Sequence, residues 1–169
     1  MKIHILSLLL LAATSCNFAP PKNTYSDSTS NDVIAEVETD DKEMNAAIEL
    51  AKQTLYQFKN ALQNQTARQG AFGLKVHFDL GGGMGEHIWL REVWMENNEY
   101  FGIVDNDNLQ TTEVNYNDTI KVNPDHISDW MFVDQGKLVG GFTTRVLRKR
   151  MSPEERKEFD AGYGVIIED

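Results

Sequence analysis

Phe72-Gly73-Leu74-Lys75-Val76-His77-Phe78-Asp79 alternates apolar and polar side chains over eight residues. Gly81-Gly82-Gly83-Met84-Gly85 then leads into Glu86-His87-Ile88-Trp89-Leu90. A period of two marks a strand with one buried face. The glycine run supplies a turn, so residues 72–78 and 87–94 are predicted as the arms of a hairpin.

Working outward, residues 100–104 and 119–122 read as third and fourth strands, the latter broken by Asn123-Pro124-Asp125. Residues 130–133 and 138–142 flank Asp134-Gln135-Gly136-Lys137, a second hairpin connection. Short strands joined by short turns predict an antiparallel sheet rather than βαβ crossovers. Upstream, Met44, Ile48, Ala51, Leu55, Phe58 and Leu62 advance by steps of four and three, one apolar stripe of a helix over residues 40–64. Thr39 is placed to cap it, with Asp40, Asp41 and Glu43 in the first turn, where the helix dipole favours negative charge. The stripe lasts under three heptads, which suits packing on a core and not a zipper. Near the end, Ser152-Pro153-Glu154-Glu155 is a capping box with proline at the first helical position, opening a helix to about residue 160. The expected fold class is α+β: an amino-terminal helix packed on a curved antiparallel sheet, then one short carboxy-terminal helix.

The first residues read differently. Met1-Lys2 is a positive start, residues 3–13 are almost wholly apolar, and Ala12-Ala13-Thr14-Ser15 brings small side chains up to Cys16. That is a secretory signal, too short to span a bilayer, ending at a lipobox. Residues 1–15 are therefore expected to be a signal peptide, with cleavage before Cys16 and acylation (palmitate) on it. Cys16 is the only cysteine in the chain, so no internal disulfide can form. Acyl chains contribute about 0.8 kcal/mol per buried methylene, so two or three give lasting attachment. The expected location is the cell envelope, on the periplasmic or outer-surface face of a membrane.

Residues 17–38 are rich in Ser, Thr, Asn, Asp and Pro without apolar period. Residues 16–38 thus form a lipidated cysteine and a flexible linker with a root-mean-square span of about 25 Å. Residues 39–165 form the expected single domain. The chain has 16 Lys and Arg against 26 Asp and Glu, a net charge of −10. That balance argues against nucleic-acid partners.

Few motifs carry chemistry. The glycines at 81–85 lack the Gly-Lys-Ser/Thr ending of a phosphate loop and join two strands, so they read as a hairpin tip. No Gly-x-Ser-x-Gly elbow occurs, and no carboxylate pair stands out. No catalytic residues, cofactors or metal ligands are assigned. His77, Glu86 and His87 are the nearest thing to a metal set, but alternation sends Glu86 and His87 to opposite faces and no tight zinc site is expected. Arg145, Arg148, Lys149, Arg150, Arg156 and Lys157 form a basic cluster, read as a solvated face pairing with Glu154, Glu155 and Glu158.

Glu86-His87-Ile88-Trp89-Leu90, Ile127-Ser128-Asp129-Trp130-Met131, Gly136-Lys137-Leu138-Val139-Gly140-Gly141-Phe142-Thr143 and Met151-Ser152-Pro153-Glu154-Glu155-Arg156 occur in that order. Together they resemble the YegJ-like bacterial domain family (family 2314), a family of unknown function. The resemblance covers about residues 43–160. The family's run after the third strand ends in a proline that Gly102-Ile103-Val104-Asp105-Asn106 lacks, a departure confined to a loop. The resemblance implies a fold and no activity, with immunity proteins of toxin systems as its one functional lead. The expected function is a non-catalytic domain binding a protein or peptide partner, in immunity or envelope regulation. Glu86, His87, Trp89, Asp129 and Trp130 are the candidate binding residues. The competing expectation is an enzyme or metal-binding domain using His77, Glu86 and His87.

Overall fold

The computed structural model describes residues 41–107 and 109–168, so the expected signal peptide, Cys16 and the expected linker lie outside the described residues. Helix α1 (Lys42–Gln63) is followed by β1 (Gln69–Gly81), β2 (Met84–Glu96), β3 (Glu99–Val104) and β4 (Thr119–Val122). A 3-10 turn at Pro124–His126 precedes β5 (Ile127–Asp134) and β6 (Lys137–Gly140), and helices α2 (Phe142–Arg150) and α3 (Pro153–Tyr163) complete the order. The six strands form one antiparallel sheet in the order β4-β3-β2-β1-β5-β6. The fold is α+β, as the alternation predicts.

The core lies between α1 and one face of the sheet. Leu74, Val76, Ile88, Leu90 and Trp130 alternate onto that face and are at most 3% exposed, packing with Ala51 and Phe58 of α1. Phe58 sits within 6.2 Å of the rings of Phe72, Tyr100 and Trp130. The Trp130 indole N–H donates to the carbonyl of Ala51 at 2.9 Å, so the largest buried ring also meets its polar requirement inside the core.

Four local expectations are corrected. Asp41, not Thr39, caps α1: its Oδ1 accepts from the amide of Met44 at 3.1 Å, and the helix begins at Lys42. The glycine turn shrinks to Gly82 and Gly83, because Gly81 already pairs with Met84 and Gly85 with Asp79. The last strand stops at Gly140 instead of running to residue 142, and residues 142–150 form α2, which the sequence reading missed. Gly140 and Gly141 both take left-handed backbone (φ 77° and 63°), which turns the chain out of the sheet. A Cβ on Gly140 would lie 2.3 Å from the Trp130 carbonyl oxygen, so the turn closes only on a bare backbone. Two short helices therefore end the fold where one was expected. Finally, the basic cluster pairs across the structure and not with Glu154, Glu155 and Glu158. Lys149 meets Glu43, Arg150 meets Asp41 and Glu43, and Arg148 meets Asp160. α2 lies against α1, bringing their unlike charges together, while Glu155 is occupied in the Ser152 capping box.

Candidate functional site

On the face of the sheet opposite α1, the polar half of the alternation gathers into a network. β1 and β5 pair Lys75 with Asp129, and a bulge there leaves Ser128 as the extra residue of β5. Asp129 is fully buried. Its Oδ1 accepts from the amides of Trp130 (2.8 Å) and Phe142 (3.1 Å), and its Oδ2 from the amide (2.8 Å) and hydroxyl (2.6 Å) of Thr143. Gly141 precedes α2 and has no side chain to cap it, so the first amides of the helix find their acceptor on the sheet. Thr143 Oγ1 in turn accepts from Lys75 Nζ at 3.1 Å, and the same ammonium stands 5.4 Å from the centroid of the Trp89 ring. Burial pushes the Asp129 carboxyl up, against the pull of Thr143, its backbone donors and Lys75. Burial likewise pushes the Lys75 ammonium down, against the pull of Asp129. Burial also raises the Tyr163 phenol, which hydrogen-bonds Thr144 next door.

The histidines adjoin this network. His77 and His87 are direct cross-strand partners, their ring centroids 4.8 Å apart and tilted by 49°. His87 Nδ1 lies 2.8 Å from Ser128 Oγ in a hydrogen bond, and Ser128 Oγ also reaches the carbonyl oxygen of Lys75 at 3.2 Å. His87 thus reaches across β1 toward β5. His77 leans the other way: a Cβ on Gly85 would lie 1.9 Å from its Nε2, so that glycine is the floor on which the ring rests. The two rings overlap while their bonding edges diverge. Burial, followed by the charges of Lys75, His77 and Lys52, holds the His87 imidazole down at about 4.

Glu86 is not part of this arrangement. Both of its oxygens accept from the amide of Gln110 (3.1 Å each), and Oε2 also from that of Thr111 (2.9 Å), which ties down the long segment between β3 and β4. His77, Glu86 and His87 are therefore not brought together. Among the described residues no three His, Cys, Asp or Glu side chains gather as a metal set. Of the other candidates, Trp130 is core, Asp129 is a buried cap, and Trp89 is half-buried beside Lys75. Lys75 and Thr143, not among the candidate site residues read from the sequence, complete the network. They stand 68 residues apart, and each reads locally as an ordinary exposed polar position.

Residues 41–166 match the family described as "Uncharacterized protein conserved in bacteria (DUF2314)". The chain belongs to this family. The uncharacterized protein YegJ of Escherichia coli K12 is 29% identical over 95% of this chain and 97% of its own length. A Neisseria meningitidis serogroup B protein named as an ankyrin repeat protein is 35% identical over 81% of this chain. The match spans 57% of that longer protein. No solved structure matches the chain.

Three of the four motifs that carry the DUF2314 resemblance meet in the network. His87 of the first bonds Ser128 of the second, whose Asp129 bonds Phe142 and Thr143 of the third. The fourth is the capping box of α3. The rest of this face is open. Trp89, Trp94, Phe101, Ile103 and Met131 all lie on it and all keep part of their surface exposed. Trp94 stacks on Phe101, centroids 5.6 Å apart and planes within 17°. Two open grooves flank the turn between β2 and β3, and neither is lined by His77, Glu86 or His87.

Proposed function

We propose that this DUF2314 protein is an envelope lipoprotein, anchored through acylated Cys16, whose domain is a non-catalytic module that binds a protein or peptide partner on the open face of its sheet. The observation that supports this reading is the contrast on that face. The groups capable of acid–base or nucleophilic work hold the fold together: Asp129 caps α2, Ser128 orients His87, and Lys75 bonds Thr143. The apolar side chains beside them, Trp89, Ile103 and Met131, stay partly open, and a partner covering them would gain about 25 cal/mol per Å² of apolar surface.

Photo-crosslinking residues placed at Ile103 and Met131, in the native host, test the partner. The same protein is expected from both positions and not from Tyr56, 62% exposed on α1. No product from either position, or an equal yield from Tyr56, overturns the reading. Immunity and envelope regulation both follow from such a module, and the identity of the captured protein separates them. The anchor is tested by labelled fatty acid, which should enter the wild-type chain; label persisting in Cys16→Ala would refute acylation at that residue.

A further inference from the structure

We propose that an extended segment of the partner, with an uncharged apolar side chain turned inward, adds as a short strand to the free edge of β2 at Met95. This rests on the partner reading above and states how that partner is held. β1 and β2 pair only as far as Leu74 and Leu90. Beyond that point the two strands part: Gln69, Gly70 and Gly73 of β1 pair with β5, while Trp94, Met95 and Glu96 of β2 pair with β3. The sheet is split at this end, so β2 has an edge there although it lies inside the strand order.

Two features of the edge select a peptide. The first is the direction of its main chain. Asn97 and Asn98 are both left-handed (φ 50° and 66°) and form the two-residue turn between Glu96 and Glu99. The residues flanking such a turn exchange hydrogen bonds, and bonded and non-bonded pairs alternate from there. Trp94 opposite Phe101 is therefore a bonded pair, whereas Met95 opposite Tyr100 is not. The N–H and C=O of Met95 point away from β3, and among the described residues no main-chain group takes them. A main-chain donor and acceptor side by side are what an added strand engages.

The second feature is the groove in front of that edge, about 530 Å³ in volume and walled on its far side by the end of α1. Val93 and Met95 share the α1 face of β2, as alternation on either side of Trp94 requires, and with Leu62 they offer an apolar contact to an inward side chain. The Trp94 ring takes no part in the groove, because it lies on the opposite face, stacked on Phe101. No Asp, Glu, Lys or Arg lines the groove, so a charged side chain entering it would lose hydration without a counter-charge. Gln63, Gln65 and Asn98 line it instead, and a carboxamide carries the same donor and acceptor as a peptide bond. Asn98 Oδ1 accepts from Lys59 Nζ at 2.7 Å, which leaves its two N–H groups for the segment. The next residue of the segment emerges on the Trp94 side, at the rim of the open face. The apolar residues Val33, Ile34 and Val37 of the same chain do not reach the groove. α1, with 22 residues, is about 33 Å long, whereas the eight residues from Val33 to Asp41 extend at most about 29 Å.

Titrating the isotope-labelled full chain with acetyl-Ser-Val-Thr-Val-Ser-amide, in a zwitterionic detergent, tests it by nuclear magnetic resonance. The Met95 amide should shift and its hydrogen exchange slow by about tenfold or more, while that of Leu90, already paired with Leu74, stays unchanged. Affinity, read from the Asn98 side-chain amide, should fall about tenfold when the three central residues of the peptide are N-methylated. The same loss is expected in Met95→Pro, which removes the N–H that faces the groove and none that pairs with β3. Gln63 is exposed on the last turn of α1, and Gln63→Ala should weaken binding about threefold, which keeps the test open if Met95→Pro does not fold. No response of Met95 at about 10 mM peptide, weaker than any affinity of interest, overturns strand addition. Equal binding of the methylated peptide, or a Met95 amide already protected before peptide is added, overturns it too. The crosslinks from Ile103 and Met131 read the partner independently. A protein captured there while Met95 stays silent overturns the strand and leaves the partner reading, whereas a Met95 response with no captured protein overturns that reading and leaves the edge site.

Discussion

The two faces of the sheet are held by different physics. The face toward α1 is apolar and follows the period of two residue by residue: Leu74, Val76, Ile88 and Leu90 are buried because alternation points them there. Any apolar side chain of similar volume would serve most of those positions, since burial is non-directional. The opposite face meets a helix at one end, where the start of α2 sets Thr143 over Asp129 and Lys75. Its buried end is held by directed bonds among Asp129, Thr143, Ser128 and His87. Such a network tolerates less at its hub, because removing Asp129 strands four donors away from water.

The contrast is tested first by its largest effects. Phe58→Ala, at the centre of the apolar face, should cost about 3–5 kcal/mol from lost contacts and the cavity left behind. Asp129→Ala deletes a smaller side chain, yet it should cost about 3 kcal/mol or more, because four donors lose their acceptor and α2 its cap. Urea denaturation of both variants gives the comparison. An Asp129→Ala loss under about 1 kcal/mol would show that the network is not what holds this face.

The next effect is smaller and depends on pH. His87 titrates at about 4 in the folded protein against 6.5 for an unperturbed imidazole. Between those values the unfolded chain binds the extra proton, so stability is complete above about 6.5 and falls as pH drops toward 4. With the ring partly open to solvent, the loss over that window should be on the order of 2 kcal/mol. Replacing the ring in His87→Gln should flatten this part of the stability–pH curve. An unchanged slope would assign it to other groups.

The smallest expected effect is Lys75→Met. Asp129 keeps its four donors without the ammonium, and burying a methionine avoids desolvating a charge. Stability should change by less than about 1 kcal/mol, measured by the same denaturation. A larger loss would make Lys75 the counter-charge on which Asp129 depends.

Much of this was legible in the residues. The stripe from Met44 to Leu62, the alternation from Phe72 to Phe78 and the capping box at Ser152 each act within a few neighbouring positions, and each forms its element. α2 was not legible. Gly140-Gly141 looks like the end of a strand, and Phe142-Thr143-Thr144 carries no capping residue of its own, because the cap is Asp129, thirteen residues upstream of Phe142 on another strand. The same limit hid Lys75 and Thr143. Gly85 was legible as a glycine but not as the floor beneath His77, which exists only once β1 and β2 are in register.

By itself the sequence determined most of the strands and helices, α2 excepted, and which face of each is apolar, since periodicity and capping are short-range properties of the chain. Only the tertiary structure decided which polar side chains meet. The β5 bulge sets Ser128 beside His87, and the left-handed turn at Gly140-Gly141 brings Thr143 over Asp129 and Lys75. Those contacts join residues 14 to 68 apart, where strand register and not local propensity fixes the distance between atoms.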